Sequence, residues 1–254
     1  MNTLRNSTWV VAAAAGIALL ALGSVAAQPP PRANQPPRTA KQAAPLDLTG
    51  QWVSIVTEDW RFRMVTPPKG DYPGAQLTPA GNAIASNWDP AKDEAAGNQC
   101  KAYGAAAIMR VPGRVRISWA DDQTLKIETD SGQQTRLLHF AAVPDGEPSW
   151  QGTSRAEWLP QGGGRGRPPV TGSLKIVTTG MKEGYLRKNG VPYSAKTVLT
   201  EYLDVLQEPD GSSWLVVKSI VDDADYHSAP PITSSNFRKQ KDQAGWDPQP
   251  CTAR

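Results

Sequence analysis

Between Arg114 and Phe140, Val115, Ile117 and Trp119 and then Leu125 and Ile127 stand at every second position, with turn-forming residues between the runs. Side chains two apart on a strand share a face, so a run of this kind specifies a sheet with one buried side. A turn at Ala120, Asp121 and Asp122 sets Val115 against Ile127 and Ile117 against Leu125 on one face, with Arg114 against Glu128 on the other. A second turn at Ser131, Gly132 and Gln133 sets Ile127 against Leu137 and Glu128 against Arg136. Apolar then meets apolar and charge meets opposite charge, and a slip of one residue would mix the faces. The expected unit is a three-stranded antiparallel meander carrying an Arg114, Glu128, Arg136 ladder. Facing outward, that ladder is a solvated ion-pair row of little energetic weight; facing inward, it would bind a carboxylate or sulfate.

Further runs rich in β-branched and aromatic residues predict strands at Trp52–Thr57, Trp60–Val65, Trp150–Trp158, Leu174–Thr179, Thr197–Leu206, Trp214–Val221 and Ile232–Arg238. Pro209, Asp210 and Gly211 supply a turn between two of them. Thr78 before Pro79 has the form of an N-cap with proline at the first helical position, and predicts one short helix to about Trp88. The glycine, proline and arginine stretch between Leu159 and Gly172 is expected to be a long surface loop, or a lid over a cavity. Roughly ten short strands at near-regular spacing predict a mainly β fold, a single antiparallel β-barrel with one short helix; a β-sandwich is the alternative.

The chain of 254 residues opens with Arg5, an apolar run from Trp9 to Leu22, and Val25, Ala26, Ala27 before Gln28. That order is the one of a cleavable secretory signal, and the run is shorter than the roughly 20 residues of a permanent span. Residues 1–27 are therefore expected to be removed, leaving a periplasmic or secreted protein with no membrane span. Pro29, Pro30, Pro31, Pro36, Pro37 and Pro45 mark 28–45 as an extended linker, with the barrel domain over 46–254. Arg5 is the only charge in the leader, so the formal net charge of +3 falls by one on cleavage, a balance that argues against a nucleic-acid partner. Cys100 and Cys251 are the two cysteines, and an oxidising compartment makes a disulfide between them the economical reading.

Gly50, Gln51 and Trp52 after the linker resemble the G-x-W opening of lipocalin-like barrels, where the tryptophan closes one end. From about Cys100 to Pro230 the chain is similar to a large uncharacterised family of exported bacterial β-rich proteins with a lipocalin-like barrel. The similarity is carried by Trp150, Gln151, Gly152 with Ser154 and Trp158, by Leu174 to Thr179, by Gly190 to Ser194, and by Leu199 to Tyr202. Ala156 stands where that family has a glycine, and the insertion after Trp158 replaces its tight turn. The resemblance implies fold and compartment only.

The sequence holds no phosphate-binding glycine loop, no H-E-x-x-H, no C-x-x-C and no G-x-S-x-G. His139, placed by the meander on the apolar face with Ile127 and Leu137, is either a core histidine bonded to a carbonyl or, if that face lines a cavity, a general acid or base. Glu201, between Leu199 and Leu203, is an acid on an apolar face that needs a partner such as Arg187; in a pocket it, or Glu128, would accept a proton. Asp222, Asp223, Asp225 and His227 offer metal-type ligands, but their place before Pro230 and Pro231 reads as a polar turn, and no metal or cofactor is assigned. Tryptophan is the outlier, nine against three phenylalanines. Most must be core, yet Trp60, Trp150 and Trp158 at a barrel mouth, with Arg136 and Tyr202, would suit a small apolar or aromatic ligand. The sequence thus predicts an exported small-molecule-binding barrel, with a cofactor-free lyase, isomerase or hydrolase using His139 and Glu201 or Glu128 as the alternative.

Overall fold

In a computed structural model that describes residues 37–164 and 171–254, the strands close into one barrel. The expected signal peptide, the linker as far as residue 36 and loop residues 165–170 lie outside the described residues. The strands are β1 (Gly50–Ile55), β2 (Arg114–Trp119), β3 (Thr124–Thr129), β4 (Thr135–His139), β5 (Thr153–Gln161), β6 (Thr171–Thr179), β7 (Gly184–Tyr185), β8 (Pro192–Tyr193), β9 (Val198–Gln207), β10 (Ser213–Asp222) and β11 (Ile232–Lys239). Around the barrel the order is β1, β11, β10, β9, β6, β5, β4, β3, β2 and back to β1, while β7 and β8 pair separately. The expected barrel is thus present, with one departure from a purely antiparallel wall. β4 and β5 pair parallel, Leu138 with Ser154 and His139 with Arg155, because residues 140–152 carry the chain back along the outside before β5 begins. A parallel pair requires such a crossover.

The meander is there, but both of its registers differ from the sequence expectation, and the second difference changes the faces. β2 and β3 pair Ile117 with Ile127 and Trp119 with Leu125, two residues from the expected pairing, so the faces are kept. β3 and β4 pair Ile127 with Arg136 and Lys126 with Leu137, one residue from it, so every β4 side chain changes face. The cause is the turn: Thr129 N–H donates to Gln134 O at 2.9 Å, leaving Asp130 to Gln133 as a loop one residue longer than expected. Gly132 and Gln133 turn the chain there in the left-handed region, at φ 78° and 51°. Arg136 and Leu138 therefore point into the barrel, and Leu137, 43 % exposed, and His139 point out. On the outer face Glu128 lies opposite Arg116 rather than Arg114, and Arg136 is missing from the row.

Helices are more numerous than expected: α1 (Ala40–Ala43), α2 (Trp60–Met64), α3 (Pro79–Ser86), α4 (Pro90–Ala95) and α5 (Ala105–Ile108). α3 starts as predicted, with Thr78 Oγ1 accepting from Gly81 N at 3.1 Å. α4 opens with the same device, Asp89 before Pro90, its carboxylate accepting from Ala91 N at 3.1 Å. α2 replaces the strand expected at Trp60–Val65. Asp59 is left-handed at φ 49°, and Arg63, its side chain 2 % exposed, pairs with Glu58 and donates through Nε to Arg110 O at 2.8 Å and through Nη2 to Ser54 Oγ at 3.2 Å. Anchoring that guanidinium against the end of β1 overrides local β-propensity.

Trp52, Ile117, Ile127, Leu138, Ile176, Leu203 and Phe237 meet inside the barrel in one fully buried cluster. Trp52 Nε1 donates to Leu48 O at 2.9 Å. One end is closed by Trp119, Phe140 and Trp158, with ring centroids 5.2 to 6.4 Å apart. α1 lies over them: Trp158 Nε1 donates to Ala40 O at 2.8 Å and Lys41 N to Asp122 O at 3.1 Å. The packed unit accordingly begins at Arg38, inside the stretch expected to be linker. The opposite end is plugged by α5 and the preceding turn Lys101–Tyr103. Cys100 and Cys251 form the expected disulfide there, and Gln249 bridges Ser131, so the C-terminal segment is strapped across this mouth.

Candidate functional site

A cleft of about 360 Å³ opens at the strapped mouth. α2 contributes Phe62, Arg63 and Met64, the plug contributes Tyr103, Arg110 and Val111, the loop after β7 contributes Leu186, Arg187 and Lys188, and the C-terminal strap contributes Gln249 and Thr252. Four of the lining residues are cationic and none is acidic. Arg63 and Arg110 already hold Glu58 and Asp59, the latter pair at 2.8 Å. Arg187 donates to Pro73 O at 3.0 Å and its guanidinium lies 4.7 Å from the Phe62 ring centre. Lys188 donates to Thr252 Oγ1 at 3.1 Å and Arg254 O at 3.0 Å, with its ammonium 4.8 Å from the Tyr103 ring centre. Among the described residues neither Arg187 nor Lys188 has a side-chain carboxylate partner.

Crowded cations leave a mark on one another. Burial pulls Arg63 and Arg187 below the ordinary guanidinium value; the charge of Arg110 pulls both the same way, although nearby carboxylates oppose it. Both stay charged at any ordinary pH. Burial pushes the Tyr103 phenol up, but hydrogen bonding and charge from Lys188, with Thr252, outweigh it and hold the phenol below its usual value. Nη1 of Arg110 is buried with no acceptor among the described residues. An anion entering this cleft would therefore meet donors that are already desolvated, which is where charge-assisted hydrogen bonds are strongest.

The residues singled out from the sequence are dispersed. Glu201 does need a partner, but it is Arg136 and not Arg187: Nη2 donates to Oε2 at 2.6 Å and Nη1 to Oε1 at 3.2 Å, both side chains at most 2 % exposed. Thr178 Oγ1 accepts from Arg136 at 3.3 Å and meets Ser154 Oγ at 2.8 Å, completing a polar layer beneath the plug. Arg136 is thus spent inside the barrel and is not free for a ligand. His139 lies on the outer face of the same wall, so it shares no pocket with Glu201, and Glu128 is outside pairing with Lys126 at 3.0 Å. The acid–base constellation expected of an enzyme is not assembled. Tyr202 is on the outer face of β9 with Lys218 over its ring at 4.5 Å, and Trp158 belongs to the aromatic closure at the far end. Trp60, 63 % exposed, rides on α2 at the rim of the mouth. Trp150 and His139 share a different cleft, outside the barrel. Asp223 ties a loop, accepting from Ser194 N, Ser194 Oγ and Thr197 Oγ1 at 2.5 to 3.0 Å.

The mouth residues Arg63, Arg110, Arg187 and Lys188 were not singled out from the sequence. They lie in three distant segments with no local pattern, and only the strap and the plug bring them together. Compared with protein-family models, with curated proteins and with solved structures, the chain matches none.

Proposed function

We propose that the chain is an exported binding protein whose site is the mouth cleft rather than the barrel interior, and that its ligand is a small molecule with an anionic group on an apolar or aromatic body. One observation carries this reading: four cationic side chains and no acid line a cleft that also presents Phe62, Met64, Val111 and Leu186. The interior is filled with side chains, which argues against a ligand deeper down. Export is supported by the disulfide, a feature of oxidising compartments; no helix among the described residues is long and apolar enough to cross a membrane.

Two fluorescent probes with the same rings test it. 8-Anilinonaphthalene-1-sulfonate should bind, and the neutral N-phenyl-1-naphthylamine should bind at least about tenfold more weakly, since one charge-assisted contact is worth about 1.5–3 kcal/mol. Arg187→Ala should weaken the sulfonate by a similar factor and leave the neutral probe unchanged, and added salt should act in the same direction. Equal affinity for the two probes, or indifference of the sulfonate to Arg187→Ala, would overturn the assignment.

A further inference from the structure

The outer cleft has the opposite chemistry from the mouth. Some 480 Å³ of space lies between the exposed side of β4 and the crossover 143–153. It opens where the barrel wall is thinnest, since β4 and β5 share only two residue pairs. No lysine, arginine, aspartate or glutamate lines it, and His139 is its only titratable side chain. Half-buried Trp150, with Leu137, Val143 and Pro144, forms the apolar part; Thr135, Ser149, Thr153 and His139 supply hydrogen-bonding groups.

The end of the crossover is tied to the plug and to the β3–β4 turn. Trp150 O accepts from Ala105 N at 2.9 Å, tying the indole's own residue to α5. Gln151 Nε2 donates to Tyr103 O at 2.8 Å and to Gln134 Oε1 at 2.9 Å. Gly152, at φ 58°, returns its N–H to Ser149 Oγ at 2.9 Å, which leaves that hydroxyl's own proton to donate elsewhere. No lining side chain is a lysine, arginine or carboxylate, and an ammonium close by, Lys182 Nζ, lies over the Trp150 ring at 5.7 Å from its centre. A wholly apolar molecule would desolvate the cleft's hydroxyls and imidazole without replacing the lost hydrogen bonds. What satisfies both halves is a ring with C–H faces to lie on the indole and several hydroxyls at its edge.

We propose that this outer cleft is a second binding site, independent of the mouth, and that it takes a neutral saccharide ring. The experiment is calorimetric titration of the full chain with maltotriose and with chitotriose, followed in parallel by tryptophan fluorescence. At least one should bind with Kd of about 10 mM or tighter. Trp150→Ala should lower that affinity tenfold or more. Because Trp150 touches the plug, Leu137→Glu is the second variant: it lies on the exposed face of β4, leaves the core alone, and should block the sugar while the sulfonate probe still binds the mouth. Arg187→Ala should leave the sugar unaffected. Failure of both sugars to bind the folded protein, persistence of binding in both cleft variants, or stoichiometric displacement of the sugar by the sulfonate probe would each overturn the proposal, whichever way the mouth assignment falls.

Discussion

Arg136 and Glu201 form a two-bonded ion pair at most 2 % exposed inside the barrel, with the hydroxyls of Thr178 and Ser154 beside it and aliphatic and aromatic side chains beyond. Removing one partner leaves an unpaired charge with no water to solvate it. Glu201→Ala should therefore cost about 3–5 kcal/mol of unfolding free energy, whereas the double variant Arg136→Met with Glu201→Leu should be close to neutral. Guanidinium titration of the three proteins checks this, and a single-variant loss under about 1 kcal/mol would mean that water reaches the pair. That Glu201 required a partner was legible from Leu199 and Leu203 on either side of it. Which arginine answers was not, because Arg136, 65 residues from Glu201, faces inward only through the length of the turn before it.

The β3–β4 turn is the element on which the inside and outside of β4 depend. Gly132 has φ 78°, and a Cβ there would run into the Tyr103 ring, which lines the mouth. Gly211, in the turn between β9 and β10, has nearly the same φ of 81° but nothing within 4 Å of the position a Cβ would take. Gly211→Ala should thus cost only the backbone penalty of about 1–2 kcal/mol, and Gly132→Ala distinctly more, with weaker sulfonate binding besides. Urea unfolding of the pair decides it; equal losses would show that the Tyr103 contact yields without cost. At this scale the five barrel strands after residue 150 were readable from composition and alternation to within a few residues, whereas the short pair β7 and β8 was not. α2 was not, since its residues favour a strand and only the burial of Arg63 against Ser54 and Arg110 makes them a turn of helix. α4 was readable in principle, because Asp89 and Pro90 repeat the Thr78 and Pro79 signal that opens α3.

For the molecule as a whole, the disulfide joins residues 151 apart and fastens the C-terminal strap to the plug. Replacing both cysteines by serine should lower stability by about 5 kcal/mol on the chain-entropy account. It should also weaken sulfonate binding, because Gln249 and Thr252 line the mouth and are held there by the bond and by the Ser131 bridge. Guanidinium unfolding and the probe titration measure the two effects. Full affinity in the serine variant would remove the strap from the site.

Alternation along the strands and the turn residues between them determined on their own that the chain is mainly β, and the two cysteines pointed to one cross-link; closure into a barrel rather than a sandwich came from the strand pairing. Tertiary structure alone decided which charges lie inside, that β4 and β5 run parallel, and where the clefts fall. Those features turn on loop parity and on contacts between segments far apart in the chain, and no run of neighbouring residues encodes either.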